Sequence, residues 1–243
     1  SINSVFQDPR IGFTSVVAIF IAIFKKLNFA GMRLAGGALR EGQLHSMLPE
    51  LTKLNVRERT IKSVMTRYHI DTRHAQRVSE LSLELAKQLA PSWDLNQFEA
   101  IDILKSAALV HEVGLQVSYK DQQIHASYLL ANSNLPGFTT AQKNLLTAIV
   151  RNHRDDIDHS MLSAQTTTSV LLAIRLVRIL RLSVILSLRR TDEVLPNIEV
   201  SIVGEELSIH LPNGWLEANP LSAAELHQEA SYQALQGWQL KLT

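Results

Sequence analysis

The sequence predicts a mostly α-helical protein: an α/β remnant at residues 1–48, an all-helical domain at 49–195 and a small ββαβ, or α+β, tail at 196–243. Two observations predict the helical centre. Apolar residues recur at intervals of three and four over several stretches between 71 and 189, and three histidines continue those same stripes. A third observation sets the tail apart: after Pro196 apolar and polar residues alternate, which is the period of a strand.

The amino-terminal region opens on the uncharged run VVAIFIAIF at 16–24, which reads as a buried helix over 13–27 capped by Thr14 or Ser15. Lys25 and Lys26 close it well short of the roughly 20 residues that span a bilayer, so no membrane span is expected. A strand at 32–35 and the turn Gly36, Gly37 follow. One helix and one strand cannot enclose a core, so this region reads as the end of an α/β domain. Gln7, Asp8 and Pro9 stand where a signal peptide carries its basic residues, and the first residue is not methionine. The expectation is an excised or proteolytic piece of a longer cytoplasmic protein.

In the helical region, His74, Val78, Leu81 and Leu85 share one face of a helix that Asp71 caps. Leu104, Ala107, Ala108 and His111 lie on a second helix. Leu145, Leu146, Ile149, Val150 and His153 lie on a third that starts near Thr140. A fourth runs over 169–188, apolar apart from Arg175, Arg178 and Arg181. In the tail, Ile198, Val200 and Ile202 alternate, as do Leu207, Ile209 and Leu211, around a turn at Gly204 and Glu205; this predicts a hairpin. Ser222 with Glu225 reads as a capping box opening a helix to about Leu235, and Trp238, Leu240 and Leu242 predict a last strand.

Composition excludes several classes of function. A formal net charge of +1, from 24 basic and 23 acidic residues in 243, gives no global electrostatic case for DNA or a membrane surface. The absence of cysteine excludes disulfides, thiolate metal sites and a cysteine nucleophile. A hydrophobic fraction of 46% supplies ample core.

Packing the apolar stripes together brings His74, His111 and His153 inward, with His125 as a fourth candidate. Neutral imidazoles with a carboxylate are the usual ligands of zinc, iron or manganese. Taken singly, a histidine on an apolar face is a core residue satisfied by one hydrogen bond; the metal reading rests on several falling in register. Basic residues crowd the mouth of the helical domain: Arg57, Arg59, Lys62, Arg67, Arg73 and Arg77, with Arg151 and Arg154 beside His153. They form either a groove for a polyanion, which guanidinium groups grip through paired hydrogen bonds, or a solvated face balanced by Glu58, Asp71 and Glu80. Arg178 and its neighbours three residues either side are expected to need acidic partners or an anion, and some of them to line the polyanion path.

The order of these residues resembles the HD phosphohydrolase superfamily, which has an early histidine, a His-Asp pair, two further histidines and a final aspartate. The counterparts here are His74, then His111 with Glu112, then His125 and His153. The pair is His-Glu, and Arg181, Leu182, Ser183, Val184 stand where the last aspartate belongs. Fewer carboxylates compensate an ion less well, so the expectation is a degenerate HD-like metal site, empty.

Five further segments in order, GGALREG at 36–42, RYHID at 67–71, ALVHEVGL at 108–115, HASYLLANSNLPGF at 125–138 and IVRNHR at 149–154, resemble the carboxy-terminal half of the exopolyphosphatase and guanosine pentaphosphate phosphatase (Ppx/GppA) family. The resemblance implies that residues 1–48 end a second actin-like domain and that the catalytic residues lie in a half absent from this chain. It further implies a magnesium-dependent parent enzyme cleaving terminal phosphoanhydride bonds of polyphosphate or the 5'-phosphate of guanosine pentaphosphate. No cofactor is then expected to be bound in this piece, and a homodimer is. Arg40, in the glycine turn, is assigned to the substrate side with Arg67, Arg73, Arg77, Arg151, Arg154 and Arg178. The alternative is a regulatory module that senses guanosine tetraphosphate or a metal without turnover.

Overall fold

The structure, a computed structural model, describes residues 21–22, 25–26, 50–93, 95, 98–190, 198–204 and 206–243. Positions 21–22 and 25–26 are helical, as the apolar run predicts. The expected strand at 32–35, GGALREG with Arg40, and Pro196 lie outside the described residues. The elements below belong to one compact unit, Gly36–Thr243.

They follow in the order α1 (Glu50–Arg67), α2 (Thr72–Trp93), α3 (Phe98–Val110), a 3-10 turn (His111–Gln116), α4 (Gln122–Asn132), α5 (Thr140–Arg151), α6 (His159–Ser163), α7 (Val170–Leu186), β1 (Glu199–Val203), β2 (Glu206–His210), α8 (Trp215–Ala218), α9 (Pro220–Leu235) and β3 (Gln239–Leu242). No described helix is long and apolar enough to cross a membrane.

Local chemistry sets the helix starts. Asp71 Oδ1 accepts hydrogen bonds from the backbone amides of Arg73 and His74, both at 3.1 Å, and so satisfies two donors at the start of α2. Thr139 Oγ1 accepts from the Gln142 amide at 3.2 Å while Gln142 Oε1 accepts from the Thr139 amide at 2.9 Å, a reciprocal cap on α5. Ser169 Oγ accepts from the Leu172 amide at 3.2 Å and opens α7.

Helix α7 is apolar nearly all round because it is the hub of the fold: α2, α3, α5 and α9 all pack against it. Its arginines are therefore internal struts. Arg175 Nη1 donates to the Trp93 carbonyl at 2.8 Å. Arg178, 2% exposed, donates to Gln233 Oε1 and to the Gln239 carbonyl, both at 2.8 Å, with its guanidinium over the rings of Trp93 and Trp238. It fastens the tail to the helices and leaves almost none of its own surface to solvent. Arg57 is spent in the same way, on the Gly137 carbonyl at 2.7 Å and on Asp102 and Gln142 at 2.8 Å.

The tail has the expected ββαβ order. β1 and β2 pair antiparallel with Val200 opposite Ile209, and β2 pairs parallel with β3, Ile209 opposite Leu242, after the crossover through α9. The sheet sits on α2, where the Gln88 side-chain amide donates to the Ile198 carbonyl at 3.0 Å and accepts from the Val200 amide at 2.9 Å. Val200, Leu207, Ile209 and Leu226 join the core that the helices form. One element starts differently from expectation. Helix α9 opens at Pro220, which has no N–H and so removes one of the first-turn donors that the helix itself cannot satisfy; Ser222 is buried inside it and makes no capping box with Glu225.

Candidate functional site

Four of the expected site residues converge. His74 projects from the first turn of α2. Helix α3 ends at Val110, and the chain tightens into the 3-10 turn that carries His111 and Glu112; His153 lies just past the end of α5. The His74 and His111 ring centroids are 5.7 Å apart, and those of His111 and His153 are 5.3 Å apart, edge to face. All three rings are buried, as is Glu112.

The last two histidines are held by one local device. Each sits three residues beyond a carbonyl that its own Nδ1 reaches: His111 to Ala108 at 2.8 Å and His153 to Val150 at 2.7 Å. A carbonyl only accepts, so Nδ1 carries the hydrogen and Nε2 is left as a bare lone pair. The Nε2 of His153 and the Nδ1 of His74 are buried with no hydrogen-bond partner among the described residues. His74, His111 and Glu112 each offer a ligand atom, all within 4.8 Å of one another.

Burial sets the charge states. Desolvation, with the Arg190 and Arg77 charges added, lowers the pKa of His74 from the usual imidazole range to about 4. Desolvation lowers that of His111 to about 3, against the bond to Ala108. His153 is also pushed well down, chiefly by burial. All three are neutral at pH 7. Glu112 is pushed up by desolvation, and Arg190 opposes this.

Arg190 is the partner of Glu112, and nothing in its local sequence marks it for that role. It follows the end of α7 in the left-handed conformation, φ 51°, which turns the chain back so that Nη2 donates to Glu112 Oε1 and Nη1 lies 3.4 Å from Asp71 Oδ2. The residues that resemble a metal centre thus have a guanidinium on their carboxylate. Two imidazoles and one carboxylate suit a borderline divalent ion such as zinc, iron or manganese, and the buried bare Nε2 of His153 fits the same group.

These groups line one pocket of about 490 Å³. Helix α9 closes it with Glu225, Gln228, Glu229 and Tyr232, one face of a helix at i, i+3, i+4 and i+7. Arg181 reaches in from α7 but is fully engaged. Its Nε lies 2.8 Å from both Glu229 carboxylate oxygens, Nη2 is 2.6 Å from Oε2, and its other donations go to the Asn152 and Asp155 carbonyls at 2.8 and 2.9 Å. This clamp fixes the loop that carries His153. Val184 also faces the pocket, whereas Ser183 Oγ donates back to the Ile179 carbonyl at 2.9 Å.

The other expected residues are distributed differently. Arg154 lines the pocket, bonded to Asp155 at 3.1 Å. His125 is half-buried on α4, and the residue which that helix presents to the pocket is Gln122. Arg67 and Arg73 are exposed, Arg67 on a separate hollow with Ser133 and Asn134. Arg77 is half-buried near His74, and Arg151 donates to the Asp156 carbonyl at 3.5 Å.

Residues 56–230 match the family described as Ppx/GppA phosphatase, domain III. Three curated relatives are each called guanosine-5'-triphosphate,3'-diphosphate pyrophosphatase. That of Pseudoalteromonas translucida (strain TAC 125) is 41% identical over 96% of this chain and 47% of its own length. That of Aeromonas salmonicida (strain A449) is 43% identical over 95% of this chain and 46% of its own length. That of Aeromonas hydrophila subsp. hydrophila is 42% identical, with the same two coverages. The chain spans about half the length of the curated relatives it matches.

Proposed function

The chain belongs to the Ppx/GppA phosphatase family, and on that premise we propose that it is the carboxy-terminal, non-catalytic part of an enzyme that removes the terminal 5'-phosphate of guanosine 5'-triphosphate 3'-diphosphate. The observation that carries the substrate is the name shared by relatives at 41–43% identity; polyphosphate, the family's other substrate class, is the alternative.

A non-catalytic role fits the chemistry. Phosphoryl transfer is accelerated by neutralising charge on the transferring group and by a carboxylate that orients water. Glu112, the carboxylate grouped with His74 and His111, is already engaged by Arg190, and Glu229 across the pocket by Arg181. Magnesium and the acidic catalytic residue belong, on this reading, to the other half of the enzyme. The contribution of this part is polyanion binding, from exposed Arg67 and Arg73 and from Arg154 at the pocket, together with dimerisation of the cytoplasmic enzyme.

A second reading, a module that senses guanosine tetraphosphate or a metal without turnover, is favoured by a pocket of about 490 Å³ that Arg154 and Arg190 line together with buried imidazole nitrogens that have no partner among the described residues. Calorimetric titration of the chain with guanosine pentaphosphate, guanosine tetraphosphate and long-chain polyphosphate separates these. The first reading expects salt-sensitive binding of the pentaphosphate or the polymer that weakens when Arg67, Arg73 and Arg154 are replaced together by Gln. Tight binding of the tetraphosphate alone, indifferent to those changes, supports the module. No binding of any of the three removes the polyanion role.

A further inference from the structure

At one end of the pocket three buried imidazoles cluster with the buried Glu112 carboxylate, and the Arg190 guanidinium sits on that carboxylate. We propose that this is a latent site for a borderline divalent metal ion, in which the Arg190 guanidinium stands in for the ion. Such a site is independent of which phosphate compound the parent enzyme cleaves.

Three observations carry it. The ligand atoms of His74, His111 and Glu112 already lie within 4.8 Å of one another. An ion held about 2.1 Å from each asks for separations below about 4.2 Å, so only a small closure is needed. The bonds from Nδ1 of His111 and of His153 to backbone carbonyls leave each Nε2 as a lone pair, and His153 Nε2 is buried without a partner among the described residues. A bare ring nitrogen accepts a metal or a donor; it does not bind an anion. Last, the guanidinium bonds Glu112 from a side chain 44% exposed, so the cation reaches in from the rim and is not walled in by the core.

Guanidinium remains protonated in proteins and has no lone pair to offer, so Arg190 cannot itself ligate an ion. It holds the carboxylate oxygen the ion needs and adds a positive charge beside the ion's position. Arg181, which also lines the pocket, has its donors committed to Glu229, Asn152 and Asp155 and does not take over that role, and Arg154 is bonded to Asp155. Asp71, 3.4 Å from Arg190 Nη1, steadies the guanidinium from outside.

The test is zinc binding to the chelator-stripped chain, read by competition with a chromophoric chelator, with circular dichroism recording the fold of each variant. The wild type and Arg190→Lys, which keeps the charge, are expected to show no site at the histidines. Arg190→Met is expected to gain one site at least tenfold tighter than any in the wild type, and His111→Ala in that background to abolish it. Arg190→Gln, whose amide still reaches toward Glu112, preserves the fold if the Met variant does not, and is read the same way. A folded Arg190→Met or Arg190→Gln that gains nothing overturns the proposal. So does a gain that survives His111→Ala, or a wild type that binds as tightly as the variants.

Discussion

Replacing Arg181 by Met tests how the pocket is held together. Arg181 and Glu229 are 1% and 2% exposed, and the guanidinium also serves the carbonyls of Asn152 and Asp155. Removing one partner of a buried pair leaves the other charge uncompensated, which costs about 3–5 kcal/mol, and each carbonyl left without a donor adds about 1 kcal/mol. The single substitution should thus destabilise by about 5 kcal/mol or more. In urea, with a slope of about 3 kcal/mol/M, the midpoint should fall by roughly 1.7 M, and Tm by roughly 10–20 °C. Adding Glu229→Met removes the stranded charge as well, so the double variant should lose only about 2 kcal/mol, an interaction term that independent sites do not show. A single variant within about 1 kcal/mol of wild type would refute this reasoning. A double variant as unstable as the sum of the two singles would do the same.

Acid should destabilise the chain through its imidazoles. The folded pKa values of His74 and His111, about 4 and about 3, lie below the unfolded value near 6.5, so between them the unfolded state binds more protons and stability falls as pH falls. From pH 7 to 5 each imidazole should remove on the order of 2 kcal/mol, and Glu112, shifted upward, returns part of this at the acid end. Urea midpoints that stay level from pH 7 to 5 would show that the imidazoles are not buried neutral groups. Gly114→Ala should cost about 3 kcal/mol or more in the same urea assay, because the added Cβ would stand 1.9 Å from the Gln122 carbonyl oxygen and 2.7 Å from the Ala126 amide nitrogen, both backbone atoms. A cost under 1 kcal/mol would mean that the 3-10 turn and α4 are not in that contact.

What the sequence reveals and what it hides follow from the range of the interactions. The stripes of α2, α5 and α7 are repeated over several turns, and their caps at Asp71, Thr139 and Ser169 are local, so all are readable from spacing. His111 and His153 fall on the right face although each lies just past the end of its α-helix, because the stripe carries one step beyond the last helical residue. Helix α1 gives a weak periodic signal, because its buried residues Ile61, Val64 and Met65 form a narrow stripe among charged neighbours. Ser222 and Glu225 have the spacing of a cap without its role, since Pro220 starts the helix two residues earlier.

The long-range parts of the site were not readable. Arg190 follows a helix end in a basic run and reaches Glu112 only through a left-handed turn. Glu225, Gln228, Glu229 and Tyr232 belong to a tail that the pattern marks as a separate element, yet they form a wall of the histidine pocket. Conversely, the step of three along Arg175, Arg178 and Arg181 is readable, but nothing local shows that Trp93, Gln233 and Glu229 receive them.

The most direct measurement of the central claim is phosphate release by this chain alone, incubated with magnesium and guanosine pentaphosphate. A non-catalytic part, with Glu112 beside the histidines engaged by Arg190 and Glu229 by Arg181, should release no phosphate above buffer. Steady release that His111→Ala abolishes would contradict the account and make the histidine pocket an active site.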